Sequence, residues 1–268
     1  MRTLVLLLVM AVTPAWAGPA VSLYAAGSLT GALGEAARAY AAASGVEVAT
    51  RFGPSGQMRE RIEAGEAATI FASADLGHPR RLAAAGKAGP VVIFARNRLC
   101  AMARPGLDTS SDRLLDTMLD PAVKLGTSTP GNDPSGDYAW AVFAKAEAIT
   151  PGTRAALEAK ALKLAGGRDS VQPPAGRNTY AWHLSEGRAD LFLGYCSAGK
   201  VAAAELAGLT VVDLPKELAV GADYGLTVLT GPPAQEAAAD RFAMFLLSPE
   251  GQAVLAGWGF TPVAAPAS

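Results

Sequence analysis

A β-rich run followed by a tight turn and a helical run occurs three times in the first third of this chain. This order constrains the fold more than any other feature of the sequence. The pairs are Val21–Ala25 before Gly31–Ala43, Val46–Phe52 before Gln57–Gly65, and Thr69–Ser73 before Pro79–Ala85. Strands that alternate with helices in this way are typical of an α/β protein with a largely parallel sheet. We therefore predict an α/β fold.

Two of these turns carry a serine between the strand and the helix. Ser28 follows Gly27, and Ser55 lies in the segment Gly53–Gly56. Serine is a preferred N-cap residue, so helix capping alone explains each position. The free N–H groups and the positive dipole end of a helix also bind anions. The residues themselves leave both interpretations open.

A second α/β unit is predicted after a long β-rich run. The run Val91–Ala103 is longer than an ordinary strand and has polar residues at its middle, which favours a strand that passes from one lobe into another. Gly225–Thr230 is the predicted return strand. We therefore predict two lobes joined by two strands, with residues 18–94 and 222–268 in lobe I and residues 95–221 in lobe II.

The predicted second lobe repeats the pattern of polar turns in front of helices. Ser135 precedes a helix predicted from Asp137, and Arg177 and Asn178 lie at the entry of a helix predicted from Tyr180. Ligands of open α/β sheets bind at the carboxyl ends of the strands. Two turns from each lobe would then face one cleft, which suits a small, compact anion held by hydroxyls and backbone N–H groups.

The first residues predict export. Arg2 precedes an apolar segment at Leu4–Val12, which is too short to span a bilayer, and Ala15-Trp16-Ala17 fits a signal-peptide cleavage site. We expect residues 1–17 to be removed and the mature protein to be periplasmic. In that oxidising compartment Cys100 and Cys196 could pair, but two buried thiols would give the same sequence.

Several function classes lack support in the sequence. The formal net charge is −1, with no basic surplus of the kind that nucleic-acid binding requires. Phosphate-binding loops and nucleophile elbows are absent, and His78 and His183 stand in no metal-ligand spacing. We expect a binding protein without a cofactor, although an enzyme on a similar two-lobed scaffold remains an alternative.

Six short motifs follow one another in order across the mature chain: Ala25–Leu33, Gly53–Gly65, Ile70–Asp75, Pro134–Ala139, Leu193–Tyr195 and Gly259–Pro262. Together they resemble the motifs of the periplasmic molybdate-binding proteins of ABC importers. The resemblance implies a two-lobed, type II solute-binding fold that closes on molybdate or tungstate and delivers it to a membrane permease. We expect the protein to act as a monomer.

The resemblance also implies roles for individual residues. Ser28 and Ser55 match serines that hold the oxyanion, Ser135 matches a position that binds through its backbone N–H, and Tyr195 matches a tyrosine that donates its hydroxyl. A fifth backbone contact falls near Arg177 or Asn178.

This chain departs from that pattern at two points. Arg177 stands where an apolar residue is usual, and Tyr195 leads into Cys196-Ser197 instead of Gly-Ser. A guanidinium could pair with another oxyanion or with a carboxylate, so a different small anion is an alternative ligand. The resemblance favours a backbone contact at this position, with the Arg177 side chain serving the structure.

Overall fold

The computed structural model describes residues 21–263, in which ten helices and nine strands are found. The strands are β1 (Val21–Ala26), β2 (Val48–Gly53), β3 (Ile70–Ser73), β4 (Val92–Ala103), β5 (Leu125–Ser128), β6 (Leu162–Ala165), β7 (Leu191–Tyr195), β8 (Thr210–Asp213) and β9 (Gly221–Val228). The helices are α1 (Thr30–Ser44), α2 (Ser55–Glu63), α3 (Gly77–Ala84), α4 (Leu114–Leu119), α5 (Pro134–Ile149), α6 (Thr153–Lys160), α7 (Thr179–Ser185), α8 (Cys196–Glu205), α9 (Pro233–Leu247) and α10 (Pro249–Gly257). Short 3-10 turns cover Gly27–Leu29 and Ser111–Arg113.

The first sheet contains the three strands predicted from the repeated pattern. Strands β2, β1 and β3 are parallel neighbours, and Ala26 at the end of β1 pairs with Gly53 at the end of β2. Strand β9 then pairs with β3 in the antiparallel sense, and the first part of β4 continues the sheet beside β9. The carboxyl ends of β1 and β2 therefore lie at the same edge, which brings the turns after them together.

The second sheet has the same plan with different strands. Strand β5 is parallel to both β6 and β7, and β4 pairs with β7 and β8 in the antiparallel sense. Strand β4 belongs to both sheets because residues 92–98 pair with β9 and residues 99–103 pair with β7 and β8. Pairing is consequently continuous from β2 to β6. The long β4 confirms the predicted crossover strand, whereas the exact lobe limits stay a prediction.

Aromatic and aliphatic side chains fill the space where the two sheets meet. Phe94 of β4 and Tyr224 of β9 are fully buried, and the Tyr224 ring also contacts Tyr195 and Phe260, at centroid distances of 5.5 Å and 5.3 Å. Complete burial of a large apolar side chain contributes about 1.5–3 kcal/mol. The strand ends at the sheet junction are thus held by core packing.

Cys100 and Cys196 form a disulfide, which settles the pairing that the sequence leaves open. Cys100 lies on β4 just beyond the exchange of partners, and Cys196 is the first residue of α8. The bond therefore ties the start of α8 to the crossover strand, directly after Tyr195.

Several predicted bounds are wrong in the second sheet. Helix α5 begins at Pro134 instead of Asp137 because Asp133 caps it and proline is favoured in the first helical turn. Helix α8 begins at Cys196, directly after the end of β7 at Tyr195. Helix α6 and strand β6 were not predicted.

Within residues 21–263, no helix combines the length and apolar character that a membrane span needs. The predicted signal peptide lies outside the described residues.

Candidate functional site

A cavity of about 570 Å³ lies where the two sheets meet. From the first sheet it is lined by the turns after β1 and β2, including Ser28 and Pro54, and from the second by the ends of β5 and β7 and the entry of α7. Lining residues of the second sheet include Ser128, Asp133 and Tyr195. The cavity lies at the carboxyl ends of these strands, where the sequence predicts a site, and its use as a binding site stays a prediction.

Three buried hydroxyls in this region make no hydrogen bond of standard geometry among residues 21–263. They belong to Ser128, Ser135 and Tyr195, whose exposed fractions are 1%, 0% and 1%. Ser128 and Tyr195 line the cavity, whereas Ser135 is not among its lining residues. Burial raises the pKa of the Tyr195 hydroxyl well above its ordinary value, so this group is protonated at neutral pH and available as a donor. An unpartnered buried hydroxyl costs free energy in the empty protein, and a ligand with acceptor oxygens would remove that cost.

Ser28 lies at the cavity but does not cap a helix, which corrects the capping interpretation. It belongs to the 3-10 turn before α1, and the N-cap position falls on Leu29 without a side-chain bond. The Ser28 hydroxyl instead lies 3.1 Å from the Tyr224 hydroxyl. The amide of Asn97 extends this network, donating to Ser197 Oγ at 2.7 Å and to the Tyr224 hydroxyl at 3.4 Å.

Ser55 is close to the cavity but is not among its lining residues. It is the first residue of α2 and fully buried, and its Oγ accepts a bond from the Ala74 N–H at 3.2 Å. The next N–H, that of Gly56, donates across the sheet junction to the Asn132 carbonyl at 3.1 Å. A Cβ at Gly56 would lie 2.9 Å from that oxygen, so glycine permits this close approach.

Further polar contacts join the two sheets beside the cavity. The Gln57 amide donates to the Gly166 carbonyl at 3.3 Å, and the Tyr138 hydroxyl donates to the Ala74 carbonyl at 3.2 Å. Arg168 forms an ion pair with Glu60. The two sides of the cavity are therefore in direct contact in this structure.

The backbone N–H of Ser135 already has an acceptor. Asp133 caps α5, and its Oδ1 accepts a bond from the Ser135 N–H at 3.2 Å. This N–H is the group that the resemblance assigns to the oxyanion. Burial raises the pKa of the Asp133 carboxyl above its ordinary value, more than the Ser135 bond lowers it.

Arg177 and Asn178 line the cavity and make bonds to protein groups. The Arg177 guanidinium pairs with Glu205 and donates to Ser185 Oγ at 3.3 Å. Its backbone N–H donates to the Pro174 carbonyl. Asn178 caps α7 with its side chain, and its N–H donates to Glu205 at 2.6 Å. The backbone N–H groups of Arg177 and Asn178 are therefore both bonded to protein acceptors and are not available to an anion in this arrangement.

We expect the Arg177→Met variant to weaken oxyanion binding by no more than about fivefold, the range of a partly exposed ion pair. The effect on the anion is indirect, because the change leaves the Glu205 carboxylate at the cavity wall without its cationic partner. Calorimetry on Arg177→Met with Glu205→Gln should then return the affinity to the wild-type value. A double variant that stays tenfold or more weaker would show that the guanidinium contacts the anion directly.

One cluster among the described residues has the spacing of metal ligands, and it consists of Cys100, Cys196 and Asp213. Both cysteines are consumed by the disulfide. The cluster therefore lacks the thiolates that would hold a metal ion.

The sequence interpretation missed Asp133, Ser128 and Tyr224. A signal existed for Asp133, since Asp-Pro before Ser-Gly is a typical start of a helix. Ser128 and Tyr224 lie on strands β5 and β9. Only the pairing of these strands with distant segments brings Ser128 to the cavity and the Tyr224 hydroxyl to Ser28.

Comparison with known proteins identifies the class of this protein. The chain belongs to the bacterial extracellular solute-binding proteins, whose family model matches residues 21–261. It is 39% identical, over 186 residues, to the uncharacterized protein PM1146 of Pasteurella multocida, covering 69% of this chain and 77% of that one.

Two solved structures share the fold of this chain. The periplasmic molybdate-binding protein of Azotobacter vinelandii aligns with a TM-score of 0.73 at 21% identity, over 91% of this chain and 100% of that chain. The sulfate-binding protein SubI of Mycobacterium tuberculosis aligns with a TM-score of 0.71 at 19% identity, over 91% and 86%. The fold is that of the type II periplasmic binding proteins.

Proposed function

We propose that this protein captures a small oxyanion in the cavity between the two sheets and delivers it to the permease of an ABC importer. Molybdate is the ligand that we favour, with tungstate as its close analogue. In this proposal the protein is exported to the periplasm, acts as a monomer and catalyses no reaction. The lobes that close on the ligand are residues 18–94 with 222–268, and residues 95–221.

The buried, unpartnered hydroxyls of Ser128, Ser135 and Tyr195 carry this proposal. Ser128 and Tyr195 line the cavity, and Ser135 follows the lining residue Asp133 by two positions. A tetrahedral oxyanion offers acceptor oxygens to such donors in several directions. Bonds from neutral donors to a charged acceptor contribute about 1.5–3 kcal/mol each. The two structural neighbours are a molybdate-binding and a sulfate-binding protein, which supports the same class of ligand for this chain.

The size of the cavity favours a second candidate ligand. Its volume of about 570 Å³ lies within the range of roughly 300–1,000 Å³ that is usual for sites of small organic molecules. A small organic anion, such as a carboxylate or a phosphate ester, would fill more of this space than an inorganic oxyanion. The pairing of Arg177 with Glu205 removes one argument for a carboxylate, since the guanidinium is already occupied.

Thermal unfolding of the purified mature chain with a panel of anions tests the proposal. The panel contains molybdate, tungstate, sulfate, phosphate and several small carboxylates and phosphate esters. A ligand at 100 times its dissociation constant stabilises the folded state by about 2.7 kcal/mol, so molybdate should raise the melting temperature clearly. A shift with organic anions alone would favour the second candidate, and a panel without any shift would contradict both.

A further inference from the structure

We propose that the bound complex holds one proton between the Asp133 carboxylate and an oxygen of the anion, so that capture of a fully ionised oxyanion takes up a proton. This inference rests on the proposed function, because it concerns the same cavity. It assigns Asp133 as a residue that determines which oxyanion binds, and at which pH.

The charges around the cavity are the first reason. Among the described residues that line it, three are formally charged, namely Asp133, Arg177 and Glu205. Arg177 and Glu205 pair with each other, which leaves Asp133 without a cationic partner. With an ionised Asp133 the lining carries a net negative charge and would repel a dianion. Like charges in a partly desolvated site disfavour each other strongly.

The position of the carboxylate is the second reason. Asp133 is fixed by its bond to the Ser135 N–H and by contact with the backbone of Gly166, where a Cβ would lie 2.4 Å from the Asp133 Cβ. Gly166 has a φ of 73°, a conformation that also favours glycine. The carboxylate is therefore held at the cavity beside the hydroxyls of Ser128 and Tyr195 and cannot easily leave it.

The groups that face Asp133 do not neutralise it. Within residues 21–263 they are the Ser135 N–H and Asp137 on its own helix, Ser128 on β5, Tyr180 on α7 and Tyr195 on β7. Each is neutral or an acid, and no cation is among them. Burial raises the pKa of the Asp133 carboxyl, which agrees with a group that accepts a proton readily.

The chemistry follows from the balance of charge. A proton from solvent binds to Asp133 Oδ, and the resulting O–H donates to an oxygen of the anion, while an anion that already carries a proton can donate it to the carboxylate. Both routes give the same complex. Oxyanions with more basic oxygens hold the shared proton more tightly. Sulfate, whose oxygens are weaker bases than those of molybdate, should therefore bind less well.

Calorimetry with molybdate tests this directly. Titrations in two buffers of different ionisation enthalpy, at a pH at which the carboxyl of the free protein is ionised, should give an uptake of about one proton, and the affinity should fall by about tenfold per pH unit above that point. The Asp133→Asn variant keeps an acceptor for the Ser135 N–H and a good N-cap. It should lose the proton uptake and the pH dependence, and bind molybdate more tightly than the wild type in alkaline buffer.

Asp137→Asn is the matched control. Asp137 lies four residues further along α5, outside the cavity lining, and accepts a bond from the Gly131 N–H. Its removal should leave the pH dependence in place. A wild-type protein that binds oxyanions without proton uptake overturns the inference and leaves the proposed function standing, as does an Asp133→Asn variant with an unchanged pH profile. Absence of oxyanion binding even in mildly acidic buffer would contradict both.

Discussion

Replacing both cysteines with alanine should lower the free energy of unfolding by about 2–5 kcal/mol, the usual loss for a disulfide. The Cys100–Cys196 bond closes a long segment, since the two residues are 96 positions apart in the chain. Removing the link lets the unfolded chain sample more conformations, which favours unfolding. Urea denaturation of the oxidised wild type and of the double variant measures the difference.

The single variants Cys100→Ala and Cys196→Ala provide the control. Each removes the same covalent bond, so each should lower the free energy of unfolding by nearly as much as the double variant does. The effects of the two single changes should therefore not add in the double variant. A double variant that loses less than about 1 kcal/mol would contradict a stabilising disulfide. If the losses of free energy in the two single variants add in the double variant, the two side chains stabilise the fold by packing instead of by the disulfide.

Replacing Tyr195 with phenylalanine should have opposite effects on binding and on the empty protein. The variant should bind molybdate roughly ten- to a hundredfold more weakly, since a hydrogen bond to a charged group contributes about 1.5–3 kcal/mol. The ligand-free variant should be as stable as the wild type or more so, because the hydroxyl that it lacks is buried and unpartnered among residues 21–263. Calorimetry and ligand-free thermal melts separate the two effects.

Tyr40→Phe is the matched control for this variant. Tyr40 lies on α1 and packs against the rings of Phe242 and Phe245, away from the cavity lining. The same loss of one hydroxyl there should leave molybdate affinity unchanged. Equal losses of affinity in Tyr40→Phe and Tyr195→Phe would mean that Tyr195 acts through general stability. An unchanged affinity in Tyr195→Phe would remove its hydroxyl from the site.

The fold was predictable from the sequence because its signals are local. The strand–turn–helix repeats gave β1 to β3 and their helices, and the length of the run at Val91–Ala103 gave the crossover strand β4. The pair α6 and β6 was missed because β6 has only four residues, Leu162–Ala165, two of them exposed at its start. A short strand at the edge of a sheet carries little alternation of polar and apolar residues.

The candidate site was predictable only in part. Ser28 and Tyr195 were expected at the cavity and line it, together with Arg177 and Asn178. Ser128 and Tyr224 were not predicted, because pairing between strands that are distant in the sequence sets their positions and local sequence patterns do not reveal such pairing. The role of Asp133 could not be read from its N-cap signature either, because capping and lining a cavity require the same residue in the same place.

Strand β4 restricts how the two sheets that form the cavity can move relative to each other. It runs through both sheets, with a register shift between Ile93 and Ala95, and changes partners between Arg98 and Leu99. Any rotation of one sheet against the other must therefore be absorbed as twist in a strand that is paired on both sides of this exchange. Leu99 pairs with Tyr195, and Cys100 anchors the residue that follows Tyr195. Tyr195 therefore lies next to the point about which such a rotation would occur, whereas the loop at Asn132 and the start of α2 would move with their sheets.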